Sequence, residues 1–412
     1  MSAAERPGPA PSPRTRRAAR VLLWVSLVII AALYTPRLVR LFPLGNDIPS
    51  HEDAPDLPSN ADDWIIYHDN ALSVLHDGLS MPSVPTAYTR PAGFGYSYFI
   101  ALVYRLGGVR SEIVYFLQGV LLLASVIGFY LAARPELSPL AASAVVGLAG
   151  VFLYLDLFRT LSFRLLSENL LLPLTAGVLL LAHRLMRTAG GYSAAGMGLL
   201  CGLCFLIRPN TGLYGPVVAL VVLSAPSRLP AARRLNAAAL LLAVWAAVCL
   251  LLVARNYAVT GSLAQSVVTK TSDMWVPGVN SVHGAHTTGS RTVEFITGYL
   301  RRLAYVAGVP QFLEPAYRIR PHWTAIWVGT VLYLVTLRRR SPSAWEWMLL
   351  GLCAAYFAPV LAIGGVTSYA TRMVAPGVPL ALLLAVKGMD VLLTQRRAAV
   401  GDRQAPRRVR EV

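Results

Sequence analysis

The run FGYSYFIALVYRL, Phe94 to Leu106, decides how this chain is threaded. It is apolar, but it covers only thirteen residues. A helix that crosses a bilayer needs about 20. Ten stronger apolar runs surround it, at about 20–43, 111–133, 137–158, 167–187, 191–208, 211–226, 235–257, 321–338, 343–364 and 372–394. If the short run stays at the surface, the basic residues near the N-terminus, Arg134, the Arg184/Arg187 turn, the Arg228/Arg233/Arg234 turn, Arg338 to Arg340 and the basic C-terminal end all share one side. If it crosses, most of them fall on the other side. The excess of arginine in cytoplasmic loops favours the first threading, with both termini cytoplasmic.

The composition agrees. Of 412 residues, 55% are hydrophobic and only 14% charged, with mean hydropathy +0.55. Soluble domains carry roughly 25% charged residues, so a soluble reading is excluded. The expected fold is an all-α polytopic membrane protein of about ten transmembrane helices. Its net charge of +17 comes almost wholly from arginine, since Lys270 and Lys387 are the only lysines. The arginines sit in short groups between apolar runs, which fits membrane topology and gives no footing to nucleic acid.

The N-terminal arginines ahead of Val21 to Tyr34 resemble a signal peptide without a small-residue cleavage site, and read as a retained anchor helix. Cys201, Cys204, Cys249 and Cys353 all lie within apolar runs. The CxxC of Cys201 and Cys204 has no second ligand pair, so these read as small buried hydrophobes.

This organisation gives a basic tail over 1–19, a membrane domain over 20–394 and a second basic tail over 395–412. Two long segments face outward, 44–110 and 258–320. The first holds eight of the twenty acidic residues: Asp47, Glu52, Asp53, Asp56, Asp62, Asp63, Asp69 and Asp77. The second carries Trp275, His283 and His286, then a stretch from Arg291 to Val306 with the apolar spacing of a helix lying on the membrane.

Few residues there can carry chemistry. Asp63, Tyr67 and Ala71 recur at spacings of four and share one face of a helix. Asp62 and Asp63 suit a general base or a metal ligand, and equally suit capping of the helix that follows. Glu168, after Ser167, lies at the outer mouth of a membrane helix, where it serves either a site or the helix dipole. Arg208, Arg255 and Arg372 stand at three further outer helix ends, where a guanidinium fork binds phosphate or anchors the interface. Pro376 and Pro379 are expected to break the backbone pairing of the last helix. His283 and His286 make only a weak metal signal. No HExxH, Walker, GxSxG or strand-linked GxGxxG motif is present.

In their order these features resemble the GT-C glycosyltransferases, integral-membrane enzymes that use polyprenyl-phosphate sugars and include the protein mannosyltransferases and aminoarabinose transferases. The resemblance runs from Val21 to about Leu393. It rests on Asp63-x-x-x-Tyr67-x-x-x-Ala71 with Gly78, Arg90-Pro91-Ala92-Gly93 before the short apolar run, Ser167-Glu168, Gly198 to Gly202 leading into Leu206-Ile207-Arg208-Pro209, Arg255-Asn256-Tyr257 with Gly261, and Arg372 ahead of Pro376 and Pro379.

It implies an inverting transfer of a sugar to a glycan, lipid or protein acceptor at the outer face of the plasma membrane. Asp63 is then the base with Asp62 its alternate, and Arg208, Arg255 and Arg372 hold the donor phosphate. Glu168, Tyr67, Asn256 and Tyr257 line the substrate site. Some members use a divalent metal such as Mg2+ or Mn2+ and others use none. A lipid-linked-glycan flippase, and a ligase using pyrophosphate-linked glycans, are the competing classes; the early acidic loop argues against both.

Overall fold

The computed structural model describes residues 12–41, 63–78, 94–158, 165, 167–226, 229–260, 321–363 and 374–404. Among these, every regular element is helical: α1 (Pro13–Leu41), α2 (Asp63–Asp77), α3 (Phe94–Gly107), α4 (Ser111–Ala133), α5 (Pro139–Leu153), α6 (Glu168–Thr188), α7 (Gly191–Ile207), α8 (Tyr214–Ser224), α9 (Ala231–Thr260), α10 (Pro321–Thr336), α11 (Ala344–Ile363) and α12 (Val378–Gln404). Each of the ten long apolar runs is a helix. Six helices are long and apolar enough to cross a bilayer by themselves, those within Pro13–Val39, Ser111–Ala133, Pro139–Leu157, Glu168–Thr188, Ala231–Arg255 and Ala375–Arg396. The protein is a multi-pass, all-helical membrane protein.

Long-range contacts orient the bundle. Ser138 opens α5 and bonds Asp390 late in α12, while His183 near the end of α6 reaches Ala132 O at the end of α4. Arg340, after α10, pairs with Glu346 at the start of α11, and Arg234 at the start of α9 donates to Leu223 O at the end of α8. One end of the bundle therefore gathers Arg134, Arg184, Arg187, Arg233, Arg234 and Arg338–Arg340, together with the start of α1 and the end of α12.

The opposite end gathers the end of α1, where Tyr34 donates to Gly150 O near the end of α5, with the starts of α4 and α6, where Gln118 meets Asn169. Both ends of α3 lie at this same end of the bundle: Gly95 meets Leu206 near the end of α7, and Gly107 leads into the start of α4. The 14 residues of α3 make about 21 Å of helix, and Gly107, Gly108 and the extended Arg110 turn the chain straight into α4.

Helix contacts in lipid depend on close packing, since apolar side chains gain little by leaving an apolar solvent. Glycines provide it where α7 lies along α9. A Cβ at Gly202 would come within 2.6 Å of Val248, and one at Gly198 would strike the carbonyl of Leu241. Pro376 and Pro379 do not break the last helix as expected. Pro376 lies in a 3-10 turn, Ala375–Gly377, and Pro379 follows the first residue of α12. A helix start has unpaired N–H groups in any case, so a proline there removes no bond.

Candidate active site

The site end is built on α2. Its spacing places Asp63, Tyr67 and Ala71 on one face, and Ala71 is fully buried. The helix docks on α3 through His68, whose Nδ1 lies 2.8 Å from the Tyr104 hydroxyl, and through an edge-to-face contact of Tyr67 with Tyr96. Burial pulls His68 below the ordinary imidazole pKa, so the ring is neutral near neutral pH. Burial, with Tyr115, Glu112 and Asp69 nearby, pushes the Tyr104 phenol up, so both partners are uncharged.

Beneath α2, Glu168 and Arg208 form a buried ion pair. Arg208 Nη1 is 2.6 Å from Glu168 Oε1, and the side chains are 13% and 0% exposed. Glu168 opens α6, where the helix dipole favours a carboxylate. Arg208 is the first residue beyond α7, at extended φ and ψ, and the chain then enters the turn Pro209–Thr211. Thr211 fastens that turn by donating to Arg208 O at 2.8 Å.

A chain of hydroxyls links the pair to α2. Tyr67 O–H donates to Ser167 Oγ at 3.4 Å, and Ser167 O–H donates to Glu168 Oε2 at 3.3 Å. Asp63, the first residue of α2, therefore lies one turn before a residue tied to the ion pair. Two close approaches hold the walls. Gly95 of α3 passes over the end of α7, where a Cβ would meet Leu206 C and O at 3.0 Å, and Gly377 lets the start of α12 press on Tyr356 and Phe357. Tyr356 in turn stands beside Arg208 and Asn210.

Arg255 lies at the same end, half-buried beside the phenol of Tyr98. Tyr98 packs with Val74, Phe205 and Leu206 around Leu252, joining α2, α3, α7 and α9. The structure thus brings together Tyr67, Glu168 and Arg208, with Arg255 at the same end beside Tyr98. Tyr257 is 52% exposed. The side chains of Asp63 and Asn256, and the whole of Asp62, Arg372, His283, His286 and the 291–306 stretch, lie outside the described residues.

Among the described residues no three His, Cys, Asp or Glu side chains meet as a metal site. The Glu168 carboxylate is engaged by Arg208 and Ser167. Cys201, Cys204 and Cys353 are buried free thiols and Cys249 is half-buried.

Sequence reading missed a second cluster at this end. Asp156, 2% exposed, sits in a π-helical turn that closes α5. It holds His322 Nε2 at 3.0 Å and accepts from Trp323 Nε1 at 2.7 Å. An acid within an apolar run was the available signal.

Residues 90–257 match the family model for dolichyl-phosphate-mannose-protein mannosyltransferase. No curated protein matches the chain by sequence. The solved structures it resembles include the Archaeoglobus fulgidus oligosaccharyltransferase AglB in complex with an inhibitory peptide and a dolichol-phosphate. That match has TM-score 0.54 and 12% identity, over 96% of this chain and 53% of AglB. Another is ArnT from Cupriavidus metallidurans bound to undecaprenyl phosphate, with TM-score 0.53 and 14% identity, over 93% of this chain and 62% of ArnT. The chain has the fold of the GT-C glycosyltransferases. A third match, the same oligosaccharyltransferase tethered to an acceptor peptide, has TM-score 0.53 and 14% identity over 92% of this chain and 50% of that one. The chain therefore spans about half the length of the archaeal enzyme and under two thirds of ArnT.

Proposed function

We propose that this GT-C protein is an inverting glycosyltransferase that moves a sugar from a polyprenyl-phosphate donor to a cell-envelope acceptor at the outer face of the plasma membrane, with both termini cytoplasmic. The observation that carries the reading is the tie from Tyr67 through Ser167 to the Glu168–Arg208 pair. The tie is made one turn after the acid-bearing start of α2, at the end of the bundle away from the basic turns, which supports a role for that acid beside the buried arginine.

In this reading the Asp63 carboxylate takes the proton of the acceptor hydroxyl. The freed oxygen attacks the anomeric carbon from the face opposite the phosphate. A new C–O bond forms as the bond from that carbon to the phosphate oxygen breaks, and polyprenyl phosphate leaves with the electron pair. Arg208 presents five N–H donors, of which the contact to Glu168 engages Nη1. Its remaining donors, with Arg255 and Arg372, stabilise the charge growing on the leaving phosphate, where preorganised donors are most effective. Glu168 fixes the direction of the Arg208 fork. The sugar, hexose or pentose, is set by the groups around Tyr67 and Tyr96.

The test uses purified protein in liposomes, a panel of polyprenyl-monophosphate sugars and an envelope extract as acceptor, with release of polyprenyl phosphate as the readout. Loss of a general base costs about 10²- to 10⁴-fold. Asp63→Asn is expected to lose release on that scale while α2 stays folded. Full release by Asp63→Asn would refute the assignment of the base. Movement of intact lipid-linked sugar between leaflets without release would make the protein a transporter.

A further inference from the structure

On the flank of the bundle away from α2, α5 forms the floor of an apolar groove of about 610 Å3. Cavities that hold small ligands run roughly 300–1,000 Å3. One wall is α1, through Thr15 and Leu22. The other is α10 and α12, through residues such as Leu332, Ala385 and Met389. Small residues on the floor, Ala141 and Ala144, give the groove its depth. From Leu140 to Phe152 the floor is about 18 Å long, slightly more than the roughly 15 Å of one leaflet's hydrocarbon.

The groove has one polar end. Thr15, Ser138, Asp390 and Thr394 line it there, and this is the basic end of the bundle. Arg14, Arg16, Arg17 and Arg20 of α1, and Arg396 of α12, are all exposed at this end. The carboxylate that lines this mouth, Asp390, is engaged by the Ser138 N–H at 2.9 Å and the Ser138 hydroxyl at 2.5 Å. Arg14 and Arg16 flank the face of α1 that carries Thr15 and Leu22, and Arg396 stands two turns after Met389 on the groove face of α12, so among the described residues cations outnumber the lining carboxylate at this mouth. We infer that this groove binds an anionic phospholipid of the leaflet at the basic end, with an acyl chain lying on α5 between α1 and α10/α12, and the phosphate held by the arginines of α1 and α12.

The physics has two parts. At membrane depth nothing polar competes for an apolar groove, so a hydrocarbon chain fills it and gains dispersion contacts with both walls. The headgroup supplies selection, because arginine pairs with a phosphate oxygen and a basic cluster at a helix end attracts anionic lipid. A zwitterionic lipid fills the groove equally well but carries an ammonium into the same cluster. This site is separate from the Glu168–Arg208 end and is independent of the proposed transfer.

The experiment is native mass spectrometry of the full chain, delipidated in detergent and offered equimolar phosphatidylglycerol and phosphatidylcholine of identical acyl chains. The wild type is expected to retain phosphatidylglycerol with a preference of about fivefold, the size of one arginine contact at a charged membrane surface. Arg14→Gln/Arg16→Gln/Arg17→Gln/Arg20→Gln is expected to bring the ratio to about one. Ala144→Phe, which fills the floor, is expected to lower retention of both lipids. Equal retention by the wild type would overturn the proposal. A preference that survives Ala144→Phe unchanged would mean surface binding of the headgroup alone and would overturn the groove. A phosphatidylglycerol with a photoreactive acyl chain gives a readout that needs no variant. Crosslinks on α5, α10 and α12 support the site, and crosslinks spread around the bundle refute it.

Discussion

Replacing Glu168 by leucine removes one partner of a pair that has almost no contact with solvent. The Glu168 side chain is 0% exposed and that of Arg208 13%, so Arg208 would keep its charge in a place water barely reaches. Breaking a buried pair from one side costs about 3–5 kcal/mol, whereas replacing both members by apolar groups of similar volume is close to neutral. Glu168→Leu and Arg208→Met should therefore each destabilise by about 3–5 kcal/mol, while the double variant should lose much less than their sum. Ser167 adds a smaller loss to the first, because its hydroxyl loses the acceptor at Oε2. The assay is reversible unfolding in mixed micelles, with the four proteins arranged as a double-mutant cycle. Additive losses, or a cost below about 1 kcal/mol for Glu168→Leu, would refute a desolvated pair. Arg208→Lys separates charge from geometry. It keeps the cation but not the planar fork, so its turnover should fall further than its stability.

Three other perturbations have defined outcomes. His68 has a lowered pKa when α2 is docked, so its contribution to docking is fully present above the free imidazole value near 6.5 and fades as pH falls through the docked value; the hydrogen-exchange protection factors of α2, taken relative to the intrinsic rate at each pH, should fall on acidification, and a His68→Phe variant that kept the same acid limb would refute the assignment. Gly198→Ala places a Cβ against the backbone carbonyl of Leu241, whereas at Gly177 the nearest atom would be 3.5 Å away; the first should destabilise by about 1–3 kcal/mol and the second by under about 0.5, and equal costs in thermal unfolding would refute the close approach of α7 and α9. Asp156→Asn retains an acceptor for the Trp323 indole but loses the charge facing His322, so it should perturb tryptophan fluorescence less than Asp156→Leu, and indistinguishable spectra would refute that contact.

Much of the fold was legible because hydropathy and charge are local. Twenty apolar residues in a row form a helix in lipid whatever else the chain does, so all ten long runs are helices. The arginine groups expected to share one side do gather at one end of the bundle, as the contacts of Ser138 with Asp390 and of His183 with Ala132 place them. Periodicity also placed Asp63, Tyr67 and Ala71 on one face of α2. Local rules failed at Pro376 and Pro379, because their effect depends on the residue at which a helix begins, and α12 begins at Val378.

The site was legible only as a set of candidates. Glu168 and Arg208 each had a second sequence-level reading, dipole partner or interface anchor, and nothing in the spacing of forty residues joins them. They meet because α6 starts and α7 ends at the same end of the bundle. The same holds for Tyr67 with Ser167, and for Asp156 with His322, which is 166 residues away. The sequence by itself determined which segments are apolar helices and which arginines are grouped, since both follow from the transfer of single side chains between water and lipid. The tertiary structure alone decided which polar groups share a low-dielectric space and where the packed helices leave a groove, since both depend on how helices distant in the chain are placed together.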